Sequence, residues 1–157
     1  MVNFTVKNKR AIANGVVHGC LMPDPEQPHG YRLFTFDGVL YPLSEPPREK
    51  AIALLEQGAN VGWWVVWVKT DEAGNLSVCP VGQVPGDDEE TNNLFHINGK
   101  LIYANKDKIV LLVVPRSEAV EKFAIVIYGE HPYMEINKYY QVKATREGDR
   151  LKFLGVC

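Results

Sequence analysis

The sequence predicts an all-β protein, or more fully a mainly-β one with a single helix, organised as two halves in tandem. Three observations carry that expectation. Short runs rich in Val, Ile, Leu and aromatic residues recur along the 157 residues, each bounded by Gly, Pro, Asn or Asp. One stretch alone, after Ser44-Glu45-Pro46-Pro47, has the apolar spacing of a helix. An acidic segment with Gly and Pro then breaks the β pattern, which restarts at Leu94.

Residues 1–14 are polar and basic (Lys7, Lys9, Arg10) and read as an arm or an opening strand. Gly15 to Met22 is the first firm strand, and its internal Gly19 marks a bulge or sharp bend. Pro23 to Gly30 is a loop by its Pro, Asp and Gly content. Tyr31–Phe36 and Val39–Tyr41 form a hairpin around Asp37-Gly38, expected as a two-residue type I′ turn. The helix follows at about residues 46–57. Ser44 or Glu45 is its expected cap, Ala51, Ile52, Leu54 and Leu55 its apolar side, and Gly58 its stop.

Gly62-Trp63-Trp64-Val65-Val66-Trp67-Val68-Lys69 is the most decided strand, because β-branched and aromatic side chains suit a pleated surface. Alternation puts Trp63, Val65 and Trp67 on one face and Trp64, Val66 and Val68 on the other. The turn at residues 71–75 leads into Leu76–Val81. Further strands are expected at 94–103, 109–114, 122–128, 139–145 and 150–154. The division that follows is 1–82 with the helix, an acidic linker at 83–93, and 94–157.

Apolar content of 46% and charged content of 23% are those of a soluble globular chain. No apolar run approaches the roughly 20 residues of a membrane span, and no secretory leader pattern opens the chain. A cytoplasmic protein with no membrane partner is expected. The net charge of −2 argues against a generic nucleic-acid coat, but it is unevenly spread. Residues 81–93 carry four acids and no base, whereas residues 94–157 carry ten bases against seven acids.

The order of elements in residues 15–81, three strands, a helix and two strands, resembles the OB-fold, a five-stranded Greek-key barrel. Gly19 and the Asp37-Gly38 hairpin lie where such a barrel curves. Residues 94–157 resemble a second barrel, with Phe95–Leu101 as its first strand and the Arg146–Arg150 hairpin joining its last two. That half departs from the pattern in having room for only one helical turn, at 132–138, before its fourth strand. The resemblance implies two OB-like barrels in tandem. The texture is also similar to that of small bacterial or cyanobacterial proteins of uncharacterised families, which implies no activity.

No Gly-x-Ser-x-Gly elbow, His-Glu-x-x-His or phosphate-binding glycine loop is present, and four histidines lie in four separate segments. A non-enzymatic protein without cofactor is therefore expected. His18-x-Cys20 with Cys79 offers three metal-ligand types at generic spacing and no fourth, so the cysteines read as small core residues and no metal is expected. Two surfaces remain as binding candidates. The tryptophan strand either fills a core, with Trp63 and Trp67 inside, or offers an aromatic platform, with Trp64 the ring turned outward. In the last hairpin, Tyr139, Lys143, Arg150 and Lys152 share an outer face. That face either tracks a phosphate backbone or is a solvated face guarding a sheet edge. The function that fits these features is weak binding of single-stranded nucleic acid, RNA before DNA. The alternative is a protein–protein adaptor that uses the aromatic strand or a free edge.

Overall fold

The computed structural model describes residues 12–85, 92–115 and 121–157. Expectations for residues 1–11 and for the middle of the acidic linker, 86–91, lie outside the described residues, as does most of the 115–121 loop. The strands are β1 (Ile12–Pro23), β2 (Tyr31–Thr35), β3 (Leu40–Pro42), β4 (Val61–Thr70), β5 (Leu76–Val84), β6 (Leu94–Ala104), β7 (Lys108–Val113), β8 (Phe123–Tyr128), β9 (Tyr139–Glu147) and β10 (Arg150–Val156). One helix, α1 (Glu49–Glu56), sits between β3 and β4. The described residues are thus mainly β with one helix, and among them no helix is long and apolar enough to cross a membrane.

Two local expectations are corrected. The β2–β3 turn has a three-residue loop, 36–38. Gly38 N–H donates to Thr35 O (3.0 Å), Thr35 N–H donates to Val39 O (2.8 Å), and Gly38 alone of the turn pair has positive φ, +93°. This is a three-residue loop closed by a left-handed glycine, and the Asp37 side chain is held by the Thr35 hydroxyl within the turn and by Arg146 from outside it. The helix begins later than expected, with Arg48 as its N-cap and no capping side chain. The segment before it is tied to β5 instead, Ser44 N–H donating to Val78 O (2.8 Å) and Arg48 N–H to Pro80 O (3.0 Å). Two prolines between those ties hold the chain extended.

β1 pairs antiparallel with three strands: β2 through Gly19–Pro23, β4 through Asn14–Cys20, and β6 through Ile12–Val16. β4 pairs with β5, and Leu43, just past β3, bridges Val78 of β5 in parallel. In the second half β6 pairs with β7, β7 with β8, β8 in parallel with β10, β10 with β9, and β9 returns to β6. Two glycines let β1 serve this many neighbours. A Cβ on Gly15 would run into the Phe95 ring, and one on Gly19 would run into Phe34 O. Both places are filled by a neighbour that comes too close for any side chain.

One buried cluster runs from Val17, Leu21 and Leu33 through Trp64 and Val66 to Phe95, Ile97, Ile125 and Leu151. The halves are joined by more than β1–β6. Leu76 N–H donates to Asp149 O (2.7 Å), Tyr128 hydroxyl to Ala73 O (2.8 Å), and Val126 N–H to Thr70 Oγ1 (2.9 Å). The Arg146 guanidinium, its side chain only 3% exposed, bonds Asp37, donates to Asn93 Oδ1 (2.7 Å) and Gly148 O (3.1 Å), and lies 5.4 Å from the Tyr41 ring centre.

Candidate functional site

Side chains alternate along each strand, so burial of one set fixes the direction of the other. Val17 on β1, Trp64 and Val66 on β4, Phe95 and Ile97 on β6, and Val142 and Ala144 on β9 are buried. Their out-of-phase neighbours face outward on a surface that crosses from one half to the other. In register, Lys143 lies opposite His96, His96 opposite Asn14, and Asn14 opposite Trp67. Opposed side chains are about 5 Å apart, so these four make a row of roughly 15 Å across β9, β6, β1 and β4.

The ends of the row differ in character. Lys143 is exposed, and its charge sits beside a half-buried imidazole. Burial first, and then that lysine charge, hold His96 below the ordinary histidine range. Its ring is accordingly neutral at pH 7. At the other end Trp67 is 43% exposed, and the Arg48 guanidinium lies 5.1 Å from its ring centre. Trp67 floors an open groove of about 740 Å³ walled by Glu45, Pro46, Pro47 and Arg48. Glu45 lies 3.8 Å from Lys69 Nζ. Behind it, burial first and the Glu45 charge second push the Cys79 thiol up to about 11, so it stays protonated.

No family model, curated protein or solved structure matches the chain.

The residues singled out in sequence are dispersed by the fold into different roles. Tyr139, Lys143, Arg150 and Lys152 are all exposed on the outer side of β9 and β10. Two of the three cations are engaged: Arg150 lies 4.9 Å from the Tyr128 ring centre, and Lys152 pairs with Glu147 at 3.1 Å. Tyr139 lies opposite Lys100. Trp64 is fully buried and its indole N–H donates to Asn60 O (3.1 Å), so it has no face for a ligand. The expectation for the strand is therefore inverted at two tryptophans. Trp64 is in the core and Trp67 is the open ring, because β4 turns its Trp64–Val66–Val68 face toward the common core. Trp63 shares the Trp67 face but is only 7% exposed, covered by the His18 ring stacked at 4.2 Å.

Asn14, His96 and Arg48 belong to the row or its groove and were not singled out in sequence. Alternation marks Asn14 and His96 as outward, since each stands between apolar inward residues. Their alignment with Trp67 depends on which strands pair. His18 stacks on Trp63, while Cys79 sits beneath residues 45–46 with its thiol 3.5 Å from Pro46 O. Among the described residues no three His, Cys, Asp or Glu side chains are grouped to hold a metal. A second outward surface, on the first half, is apolar. Leu40 lies opposite Phe34, Phe34 opposite Cys20, and Cys20 opposite Val61.

Proposed function

We propose that the chain is a non-enzymatic binding protein of two OB-type barrels in tandem. In this reading it binds single-stranded nucleic acid, RNA rather than DNA, weakly, on the face where the halves join. The barrel part is supported by the pairing order. In each half the first strand pairs with the second and fourth, the fourth pairs with the fifth, and the third or its continuation runs parallel to the fifth. OB-folds commonly bind ligands with strands two and three and the loops after strands one and four. Here both loops after the fourth strand pack against the other half, Ala73 O accepting from Tyr128 and Gly148 O from Tyr41 (3.2 Å). The joined outer face, by contrast, stays open.

The observation that carries the reading is the row Lys143–His96–Asn14–Trp67. A lysine suits a phosphate and an amide suits a ribose 2′-hydroxyl. An exposed indole and a neutral imidazole suit unstacked bases. With Lys143 the one cation in the row and a net charge of −2, affinity rests on two or three phosphate contacts. The expected slope of log affinity against log salt is about −2 for a single strand. Fluorescence anisotropy of a labelled mixed-sequence RNA strand, titrated at low and at physiological salt, measures it. Absence of binding at about 100 µM protein in low salt would overturn the reading, since even non-specific binders reach that range.

The apolar row Leu40–Phe34–Cys20–Val61 favours the adaptor as a second reading, because exposed apolar side chains in contiguous array mark contact surfaces. The two separate cleanly. Serine at Phe34 and Leu40 leaves RNA affinity unchanged under the first reading, and removes a protein contact under the second.

A further inference from the structure

We propose that the groove beside Trp67 is a subsite for a single guanine base, an inference that rests on the nucleic-acid reading above. Trp67 ends the row, so a base laid on its indole leaves the sugar–phosphate chain running toward Asn14, His96 and Lys143. The groove wall beside it is Pro46-Pro47, whose fixed φ angles leave little backbone freedom to lose on binding.

Arg48 already occupies the stacking position, 5.1 Å from the ring centre. A base between them needs about 3.5 Å on each side, roughly 7 Å in all. Arg48 is exposed, and its side chain makes no capping bond to α1, so it is free to move outward by the difference and cover the base. Guanidinium over base over indole combines stacking with a cation–π contact.

Glu45 selects the base. It lines the same groove, and an ionised carboxylate only accepts hydrogen bonds. Uracil flanks its one N–H with two carbonyl oxygens, which a carboxylate repels. Cytosine and adenine each offer an amino group next to a ring acceptor. Guanine alone offers two adjacent donors, N1–H and the 2-amino group, which match the two carboxylate oxygens. The acid that would weaken phosphate binding elsewhere in the site thus has a purpose at its base-reading end.

The test uses full-length protein and labelled RNA hexamers at low salt: hexauridine, and the same strand with one uridine replaced by guanosine, adenosine or cytidine. The guanosine strand is expected to bind about tenfold more tightly than hexauridine. It is also expected to quench tryptophan emission, since Trp67 is the one exposed indole. Glu45→Gln should bring the guanosine-to-uridine ratio to near one. Trp67→Phe should keep the preference at lower affinity, and Trp67→Ala should lose the quenching. Equal binding of all four strands, or a preference that survives Glu45→Gln, overturns the guanine subsite while leaving the nucleic-acid reading in place. Failure of every strand to bind overturns both.

Discussion

Trp64 and Trp67, three positions apart on one strand, have opposite physical tasks. Trp64 is enclosed on all sides and hydrogen-bonded through its indole, whereas Trp67 keeps 43% of its surface in water. Trp64→Ala should cost about 3–5 kcal/mol, the sum of lost transfer energy and a cavity that a packed interior closes poorly. Trp67→Ala should change stability by less than about 1 kcal/mol, as surface substitutions do. Urea melts of the two variants read the difference directly. Equal losses would mean that the assignment of core and open face on β4 is wrong.

Among the elements, β1 has the hardest assignment, since one strand pairs with β2, β4 and β6. Its inward glycines make that possible. Gly15→Ala would drive a methyl group into the Phe95 ring, and should cost about 1–3 kcal/mol as overpacking does. Gly155→Ala in β10 has nothing within 4 Å and negative φ, so it should stay within about 0.5 kcal/mol of the parent. Thermal melts of the pair test whether close approach at β1 is the reason for glycine there. The role of Gly19 as a bend was legible from its place inside an apolar run. That of Gly15 was not, because Phe95 is eighty residues further along the chain.

At the scale of the whole molecule, the halves are held by strand pairing and by the clamp of Arg146 on Asp37. Burial works against the Asp37 charge, but hydrogen bonds from Thr35 and Arg146 and the guanidinium charge outweigh it and hold the carboxyl below its ordinary range. A depressed carboxylate stabilises the fold above its ordinary value of about 4 and loses that contribution as pH falls through the depressed one. Arg146→Met should cost about 2 kcal/mol, less than breaking a fully buried pair, because Asp37 is 54% exposed. The variant should also lose part of the parent's destabilisation as pH falls below about 4. Denaturant midpoints across that range measure both. If the variant and parent keep the same pH slope, the clamp does not link the halves.

What the sequence by itself determined is the set of elements. Among the described residues, ten strands and one helix stand close to where alternation, turn residues and the Pro-Pro start placed them, because those signals act over a few residues. It also assigned the two faces of the tryptophan strand and the outward direction of Tyr139, Lys143, Arg150 and Lys152. Only the tertiary structure decided which face of β4 lies inside, since both faces are apolar and local pattern is silent between them. The structure likewise decided that Arg150 and Lys152 are engaged by Tyr128 and Glu147, and that Asp37 answers to an arginine 109 positions away. The row Lys143–His96–Asn14–Trp67 is of the same kind. Each member faces outward by its own strand's period, but they meet because β1 pairs with both β4 and β6. That register is set by the fit of distant side chains into one core.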